Sequence, residues 1–395
     1  MARGIKTLVA SVVVVLLVAG SFLGGVLYAD MGGEVPSVGT TTTVKTTELD
    51  RLINQVRAII KTSALKPSSD ESITTGAIDG MLSSLEDTYA VYYDAKAFAD
   101  LKEEQSGEFF GIGVSIGLNK DGMPYASRVF AGSPASKAGV KDGDVFTAVN
   151  GVTRDKWDLE EFVSMVRGPK GTKVTLRVER KGKEPFNVQI TRDKIAVPNT
   201  MTKLHGDVGY IRLMTFNELS ASDVSKAIES LDKQGAKGYV LDLRENPGGL
   251  LASAIDVASL FIKDGVIVRV DERDKAEEVD YATGMQVTTK PLVVLVDSYS
   301  ASASEIVAGA LQDHKRATIV GQVSYGKGSV QSVLPVRNGG AVKLTIAHYL
   351  TPNKNVINGV GVQPDVTVTM DPMLQQDEKT DTQLQRALEV LRSKL

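Results

Sequence analysis

The sequence predicts a multidomain α/β protein, and three observations lead to that prediction. The chain has 395 residues, more than a single hydrophobic core holds at about 100–200 residues per domain. Hydrophobic residues make up 42% and charged residues 24% of the chain, an ordinary globular composition that excludes a disordered or fibrous protein. After Ala196, strand-like apolar runs alternate with helical ones, which is the pattern of an α/β fold.

Composition also excludes several kinds of site. The formal net charge is −3, from 45 basic and 48 acidic residues, so we expect no nucleic-acid partner. The chain has no cysteine, which excludes thiol nucleophiles, disulfides and cysteine-bound zinc. The three histidines, His205, His314 and His348, lack the spacing of a zinc-protease motif, and we expect neither a metal nor a cofactor.

The N-terminal segment, residues 1–29, has the pattern of a membrane anchor. Arg3 and Lys6 precede an uncharged apolar run, residues 8–29, which at about 1.5 Å per residue is long enough to cross the hydrocarbon of a bilayer. The basic end is expected to stay in the cytoplasm, which places the rest of the chain outside. We therefore predict a single-pass protein of the cell membrane whose main domains are extracytoplasmic. A cleaved signal peptide and a secreted protein are the alternative, although residues 26–29 match a cleavage site poorly.

The rest of the chain divides into five predicted segments. Residues 30–47 are rich in Gly, Thr and Val and are predicted to be a linker. Residues 48–100 have apolar residues at helical spacing and are predicted to be a small helical domain. Residues 101–193 carry short strands broken by Gly and Pro, residues 194–371 carry the alternating α/β pattern, and residues 372–395 are predicted to form a C-terminal helix.

The predicted C-terminal helix has an apolar stripe formed by Leu384, Leu388, Leu391 and Leu395. Such a stripe packs on another apolar surface, and we expect that surface to belong to a partner chain or to the helical domain of residues 48–100. A homodimer joined through the helical termini is therefore one prediction.

Residues 101–193 contain two motifs in order. The first is a glycine-flanked loop before an alternating strand: Phe110, Gly111, Ile112 and Gly113. The second, residues 132–144, reads GSPASKAGVKDGD and is followed by a strand and an Asn-Gly pair. This series resembles the PDZ domains of bacterial proteases. The resemblance implies a small β-barrel with helices that binds an apolar protein C-terminus as an added strand, with N–H groups of residues 110–113 holding the carboxylate. A plain β-barrel with glycine turns is the alternative.

A candidate nucleophile follows the predicted buried strand of residues 291–297. Three alternate serines, Ser300, Ser302 and Ser304, stand where this strand turns into a helix. Helix N–H groups at such a turn favour developing negative charge. Ser302 with Glu305 three residues later also fits a helix capping box, which is the structural alternative. On physical grounds alone the choice among the serines stays open.

A candidate base lies further along the chain. Lys327 stands between two glycines in apolar surroundings. To accept a proton near pH 7–8 its pKa must fall by ~3 units from ~10.4, at roughly 4 kcal/mol, which requires burial. Gln331 lies four residues on and, in a strand, would share a face with Lys327 and orient its amine. The alternative is a turn lysine with its amine in solvent.

Two other sites fit this part of the chain less well. Residues 321–327 match a phosphate-binding loop through its lysine, but Gly328 stands where a Mg²⁺-binding Ser or Thr belongs, and a strand pattern follows. A Ser–His–Asp triad built with His314 or His348 is the competing hydrolase mechanism.

Taken together, the serine motif and the lysine motif resemble those of the tail-specific carboxy-terminal processing peptidases, a family of serine proteases with a Ser/Lys dyad. Tyr325 stands where that family usually has Phe. The resemblance implies that Ser302 is the nucleophile, Lys327 the general base and Gln331 the residue that positions it. No metal or cofactor is implied.

A third motif of that family stands at residues 240–249, where a strand runs into a glycine pair. The resemblance implies an oxyanion hole formed by the N–H groups of Gly248 and Ala303, and glycine permits the close approach of a substrate. The choice between Gly248 and Gly249 is less secure. The family also uses its PDZ domain to present or gate the substrate C-terminus, and Arg167 is a candidate coupling residue, with a plain surface arginine as the alternative.

The resemblance thus implies a serine endopeptidase that cleaves exported proteins at or near their C-termini. The alternative from another class is a catalytically inactive PDZ scaffold that binds protein tails. The set of Ser302, Lys327 and Gln331 argues against the scaffold, because a binding module needs none of the three.

Overall fold

The computed structural model describes residues 47–395 other than 67, 108, 196–198, 274, 372–374 and 376. The predicted anchor of residues 1–29 therefore lies outside the described residues. Within the described part, no helix is long and apolar enough to cross a bilayer. The chain divides into two compact units, Met1–Gly76 and Ala77–Leu395.

The first unit contains helix α1 (Glu48–Ser63) and the start of helix α2 (Asp70–Ser83). Thr47 and Asp50 cap α1 reciprocally, because the Asp50 N–H donates to the threonine hydroxyl while the Thr47 N–H donates to the aspartate at 2.7 Å. Asp70 also accepts hydrogen bonds from two basic side chains of α1. Sequence periodicity thus predicts these helices correctly.

The segment that follows contains strand β1 (Val91–Tyr93) and helix α3 (Ala95–Ser106). Asp94 caps α3 by accepting from the Ala97 N–H at 2.7 Å, and Gly107 ends it in the left-handed conformation, with φ 67°. The predicted boundary at residue 100 is therefore wrong, because it falls inside this helix. The sequence showed a helical period here and no strand, and β1 is too short to leave a period of its own.

Residues 109–195, called the PDZ segment from here on after the resemblance noted above, contain a sheet of antiparallel strands in the order β3-β4-β5-β7-β8. Strand β6 pairs with β5, and β2 and β9 form a separate pair. The core of the segment is apolar and includes Phe146, Trp157 and Phe162. The strands and helices are β2 (Phe109–Gly111), β3 (Val114–Leu118), β4 (Pro124–Val129), α4 (Pro134–Lys137), β5 (Val145–Val149), β6 (Val152–Thr153), α5 (Leu159–Val166), β7 (Lys173–Glu179), β8 (Phe186–Thr191) and β9 (Asp193–Ile195).

The last part of the chain is built on a six-stranded sheet in the order β10-β11-β12-β15-β16-β19, in which only β10 runs antiparallel to its neighbour. Every residue of β12 and β15 is buried, as expected for central strands of a parallel sheet. The strands are β10 (Thr200–His205), β11 (Val208–Leu213), β12 (Gly238–Asp242), β15 (Leu292–Val296), β16 (Thr318–Gly321) and β19 (Val366–Thr367).

Helices cover both faces of this sheet. Helices α6 (Ser220–Lys233), α7 (Leu251–Ser259) and α8 (Ala303–Asp313) share one hydrophobic core with it. Helix α9 (Thr382–Arg392) covers the opposite face, where Leu384, Leu388 and Leu391 pack against valines of the sheet.

The expectation that this stripe packs on a partner chain or on the helical domain of residues 48–100 is wrong. The stripe packs on the main sheet instead, because both faces of a parallel sheet are apolar and need to be covered. A homodimer through this helix has no support in the structure.

A second sheet is antiparallel and has the order β1-β18-β13-β14, with β17 also beside β18. Its remaining strands are β13 (Val266–Glu272), β14 (Glu278–Tyr281), β17 (Ser329–Pro335) and β18 (Ala341–Leu350). The parallel strands β12, β15 and β16 end at the same edge of the main sheet, and the glycine pair, the serines and the lysine follow these three ends. The topology therefore gathers three distant motifs at one edge.

A buried ion cluster joins the main sheet to α9. Arg244 donates to Asp242 at 2.6 Å and to Asp381, the N-cap of α9, at 2.8 Å, and all three side chains are buried. Tyr210 also donates to Asp242, at 2.7 Å. Burial raises the pKa of Asp242, but the charge and hydrogen bonds of Arg244 outweigh it and hold that pKa below its usual value.

We predict that Asp381→Ala lowers the free energy of unfolding by about 3–5 kcal/mol, because it leaves a buried guanidinium short of a partner. Urea denaturation measures this. Glu378→Ala is the control: it removes an ion pair with Lys203 whose members are both exposed, and we expect a loss of about 0–1 kcal/mol. Equal losses in the two variants would contradict the assignment.

Candidate active site

Ser302 occupies a strained turn between β15 and α8. Its φ is 55° and its ψ −114°, a combination that is rare for a residue with a side chain and that functional sites often retain. The surrounding structure holds the turn, because the Ala301 N–H donates to the Asn246 carbonyl at 3.1 Å and the Ser302 N–H donates to Glu305 at 2.8 Å.

The three serines have different surroundings, which the sequence could not distinguish. Ser300 is fully buried and donates to the Leu243 carbonyl at 2.8 Å. Ser304 is also fully buried and donates to the Asn246 carbonyl at 2.9 Å. Ser302 is half-buried and, alone of the three, lines a cavity of about 340 Å³. The geometry thus favours Ser302 as nucleophile.

The buried Glu305 carboxylate does more than the predicted cap. It accepts from the Ser302 N–H at 2.8 Å and also from three groups of the lysine loop: the Ser324 hydroxyl at 2.5 Å, the Gly326 N–H at 2.7 Å and the Lys327 N–H at 2.8 Å. It therefore ties the nucleophile turn to the segment that carries Lys327. Sequence reasoning missed this role, because the second set of partners is distant in the chain.

Lys327 lines the same cavity as Ser302. Burial lowers the pKa of its amine, the nearby Lys343 ammonium lowers it further, and Glu305 opposes both. The predicted direction of the shift is therefore present. The Lys327 Nζ lies 4.7 Å from the centroid of the Tyr89 ring. Among the described hydrogen bonds, none joins this nitrogen to Ser302.

Tyr349 is a further polar group of the cavity that sequence reasoning missed. Its hydroxyl donates to the Lys327 carbonyl, and its side chain lines the same cavity as Ser302. Burial raises the pKa of this phenol well above its ordinary value, so it is neutral in the folded protein. Its position on β18, far from both motifs, left no sequence signal.

Gln331 lines the cavity with Lys327, but the argument that put them on one strand face is wrong. Lys327 precedes β17, and the strand has a bulge between Val330 and Gln331, so simple alternation does not apply. The Gln331 amide donates to the Ser329 hydroxyl at 2.8 Å. No described hydrogen bond links it to Lys327.

The candidate oxyanion donors also differ from the expectation. The Gly248 N–H donates to the Asn246 side chain at 2.9 Å and is therefore engaged in this conformation. The N–H groups of Gly249 and Ala303 donate to none of the described residues. Gly248 must still be a glycine, because a Cβ there would lie 2.8 Å from the Ser302 Cβ and 2.7 Å from the Ala301 carbonyl oxygen.

Fewer N–H groups of the predicted carboxylate-binding loop, residues 110–113, are available than expected. Phe110 and Gly111 belong to β2, and the Phe110 N–H donates to Glu103 of α3 at 2.8 Å. The N–H groups of Ile112 and Gly113 have no partner within the described part of the chain. Gly113 has φ 77°, and a Cβ there would lie 2.3 Å from Ser133, so glycine is required.

Arg167 follows α5 and faces α3. Its guanidinium lies 4.0 Å from the Asp100 carboxylate, and both residues line a cavity of about 950 Å³ between the two helices. The next turns of α3 line the cavity of about 340 Å³ that Ser302 and Lys327 also line, called the catalytic cavity from here on. The residues of α3 that line it are Leu101, Glu104 and Gln105. Arg167 therefore does not line this cavity, but it contacts a helix that does.

The structure does not form either of the two alternative sites, the Ser–His–Asp triad and the phosphate-binding loop. Neither His314 nor His348 lines the catalytic cavity, and His314 is paired with the Val266 carbonyl at 2.7 Å. Lys327 leads into strand β17 instead of the helix that a phosphate-binding loop needs.

Comparison with known proteins gives matches over most of the chain. Residues 207–368 match peptidase family S41, residues 125–180 match a PDZ domain, and residues 18–97 match the family described as activating protease CtpB N-terminal domain. The chain is 39% identical over 362 residues to a carboxy-terminal-processing protease of Bartonella bacilliformis, covering 90% of this chain and 82% of that protein. It is 38% identical over 316 residues to carboxy-terminal processing protease CtpA of Bacillus subtilis, covering 80% and 68% of the two chains.

Among solved structures, the photosystem II D1 C-terminal processing protease is similar, with 30% identity, a TM-score of 0.47 and coverage of 80% of this chain and 86% of that chain.

We predict that Lys343→Met raises the pKa of the Lys327 amine, because it removes a like charge that disfavours the protonated form. Carbon NMR of the lysine Cε atoms against pH measures the change, and the deprotonation of Lys327 should move to higher pH. Lys183→Met is the control, since Lys183 is exposed in the PDZ segment and its loss should leave the Lys327 titration unchanged. An unmoved titration in Lys343→Met would contradict the account of this base.

Proposed function

The chain belongs to peptidase family S41, and we propose that it is a serine endopeptidase with a Ser302/Lys327 dyad that cleaves exported proteins at or near their C-termini. The family follows from relatives named carboxy-terminal processing proteases, which are 34–39% identical over most of the chain. The protein is therefore an S41 peptidase with a PDZ domain.

One observation carries the assignment of the dyad. Ser302 and Lys327 come from separate segments, line one cavity and are held together through the Glu305 carboxylate. In the proposed reaction the Ser302 hydroxyl attacks the scissile carbonyl, and the neutral Lys327 amine takes its proton and returns it to the leaving amine. Water then releases the acyl group. The long lysine stem lets Nζ turn from the Tyr89 ring towards Ser302.

The developing oxyanion would be stabilised by the Ala303 N–H and by a glycine N–H of the pair after β12. Gly249 supplies that donor directly, whereas Gly248 does so after its N–H leaves Asn246. Gln331 and Tyr349 are polar groups of the same cavity and are proposed to position the dyad.

The PDZ domain is proposed to bind the C-terminus of the substrate. An extended peptide beside the exposed edge of β3, next to α5, would gain main-chain hydrogen bonds, and the N–H groups of Ile112 and Gly113 would meet its carboxylate. Main-chain bonds do not read sequence, so selectivity is expected to be limited to apolar terminal residues.

Arg167 is proposed to couple the two sites through α3. This helix contacts the PDZ domain at Asp100 and Glu103 and lines the catalytic cavity at Leu101 and Glu104. Any shift of α3 when a tail binds would change a wall of the catalytic cavity, because the helix lines that cavity.

Membrane anchorage through residues 8–29 remains a proposal that rests on the sequence pattern. It places the peptidase outside the cytoplasm, where its substrates would be exported proteins. An inactive scaffold would also use the PDZ domain to bind protein tails. It would not need the buried Glu305 carboxylate that links Ser302 to Lys327.

We predict that Ser302→Ala lowers the cleavage rate by about 10³-fold or more and that Lys327→Ala lowers it by about 10²–10⁴-fold. The measurement is mass spectrometry of the products from an unstructured protein with an apolar C-terminus. His348→Ala is the control and should retain activity. Loss of activity in His348→Ala while Lys327→Ala stays active would instead favour the histidine triad. A stable complex without fragments would identify a scaffold.

We predict that Arg167→Ala lowers the cleavage of tail-bearing substrates about fivefold or more, without changing the affinity of the PDZ domain for the tail. Asp100→Ala should give the same loss, and the double variant should lose no more than either, because both remove one contact. Arg154→Ala is the matched control, since Arg154 forms an equally exposed ion pair with Glu161 on the same domain. Additive losses would contradict the coupling.

A further inference from the structure

A second cavity lies beside the catalytic one and is lined largely by tyrosine rings. Its volume is about 520 Å³, and Tyr89, Tyr299 and Tyr325 line it together with Ala301. Pro247 and Lys327 line both this cavity and the one that holds Ser302. The tyrosine cavity, as we call it, therefore adjoins the cavity of the proposed catalytic centre.

Two of these rings are exposed although the chain around them is ordered by hydrogen bonds. The Tyr299 side chain is 57% and the Tyr325 side chain 59% exposed. Their backbone N–H groups donate to Asp297 at 3.0 Å and to Ser300 at 2.9 Å. Tyr89 lines the same cavity beside Tyr325. Rings held in this way present a rigid apolar surface, as ligand sites commonly do.

The cavity offers an ionised occupant no available partner charge. Glu245 lines one part of the wall but is paired with Arg212 at 2.5 Å, and Lys327, which lines another part, acts in its neutral form in the proposed reaction. An acidic or basic side chain would therefore lose its water of hydration here without gaining an ion pair. A neutral side chain with a large apolar surface does not have this cost.

We propose that the tyrosine cavity is a subsite that binds a large apolar or aromatic side chain of the substrate residue next to the scissile bond. The inference rests on the proposed function, because it needs a peptide attached to Ser302. The occupant follows from the adjacency of the two cavities, since a peptide whose carbonyl lies at Ser302 would place a neighbouring side chain near Pro247 and Lys327, which line both.

The occupant would also change the base. Lys327 Nζ lies 4.7 Å from the Tyr89 centroid, and the Lys327 side chain is only partly buried. A large apolar side chain there removes water from the amine, and desolvation favours the neutral form that accepts a proton. A substrate with a small residue at this position leaves the amine hydrated. The subsite thus links the choice of cleavage site to the activation of the base.

The test compares the cleavage-site preferences of the wild type, Tyr299→Ala and Tyr281→Ala by mass spectrometry of a peptide library. Tyr281 is the matched control, because its side chain is 61% exposed on β14 and lines neither cavity. We expect the wild type and the control to prefer large apolar residues at one position beside the scissile bond. We expect Tyr299→Ala to lose that preference, with kcat/KM about tenfold lower for a peptide with Phe there and nearly unchanged for one with Ala.

A second readout is the pH dependence of kcat, which reports the ionisation of groups in the enzyme–substrate complex. The rising limb should lie at lower pH for the Phe peptide than for the Ala peptide in the wild type, and the two limbs should approach each other in Tyr299→Ala. An unchanged preference in Tyr299→Ala would overturn the subsite while the peptidase assignment stands. Absence of any Ser302-dependent cleavage in the wild type would instead overturn the proposed function, and the subsite with it.

Discussion

The buried Glu305 carboxylate is the interaction on which the candidate active site depends. It accepts from the Ser302 N–H on one side and from the Gly326 and Lys327 N–H groups on the other, all at 2.7–2.8 Å. A carboxylate without such donors would be costly to bury. Because these donors belong to both segments, the same bonds that make burial of Glu305 tolerable also hold the backbone of Ser302 close to that of Lys327.

The same carboxylate also affects the charge of the base. It favours the protonated form of Lys327, while burial and the Lys343 ammonium favour the neutral form. The second sheet contributes to this balance, because β18 supplies Lys343 and Tyr349 and β17 begins just after Lys327. Any movement of this sheet against the main one therefore alters the basicity of Lys327 and its distance from Ser302. Helix α3 lines the same cavity and also contacts Arg167 of the PDZ domain.

Much of the fold could be predicted from local patterns. Periodicity gave α1 and α9, and continuous apolar runs gave the buried strands β12 and β15. The predictions failed where partners are distant in the chain: the C-terminal stripe packs on the main sheet, and β1 exists only because it pairs with β18. At the candidate site, the motifs pointed to Ser302 and Lys327, which line one cavity, whereas Tyr349 of the same cavity left no local sign.

By itself, the sequence determined the residue types that the chemistry requires: a serine at a strand-to-helix turn, a lysine between glycines and a glycine pair after a strand. These are local features, because backbone geometry and neighbouring residues define them. Only the tertiary structure decided how they meet. It buried Ser300 and Ser304, engaged the Gly248 N–H with Asn246 and turned Gln331 towards Ser329. These outcomes depend on packing and hydrogen bonds between distant segments, which no spacing within a motif encodes.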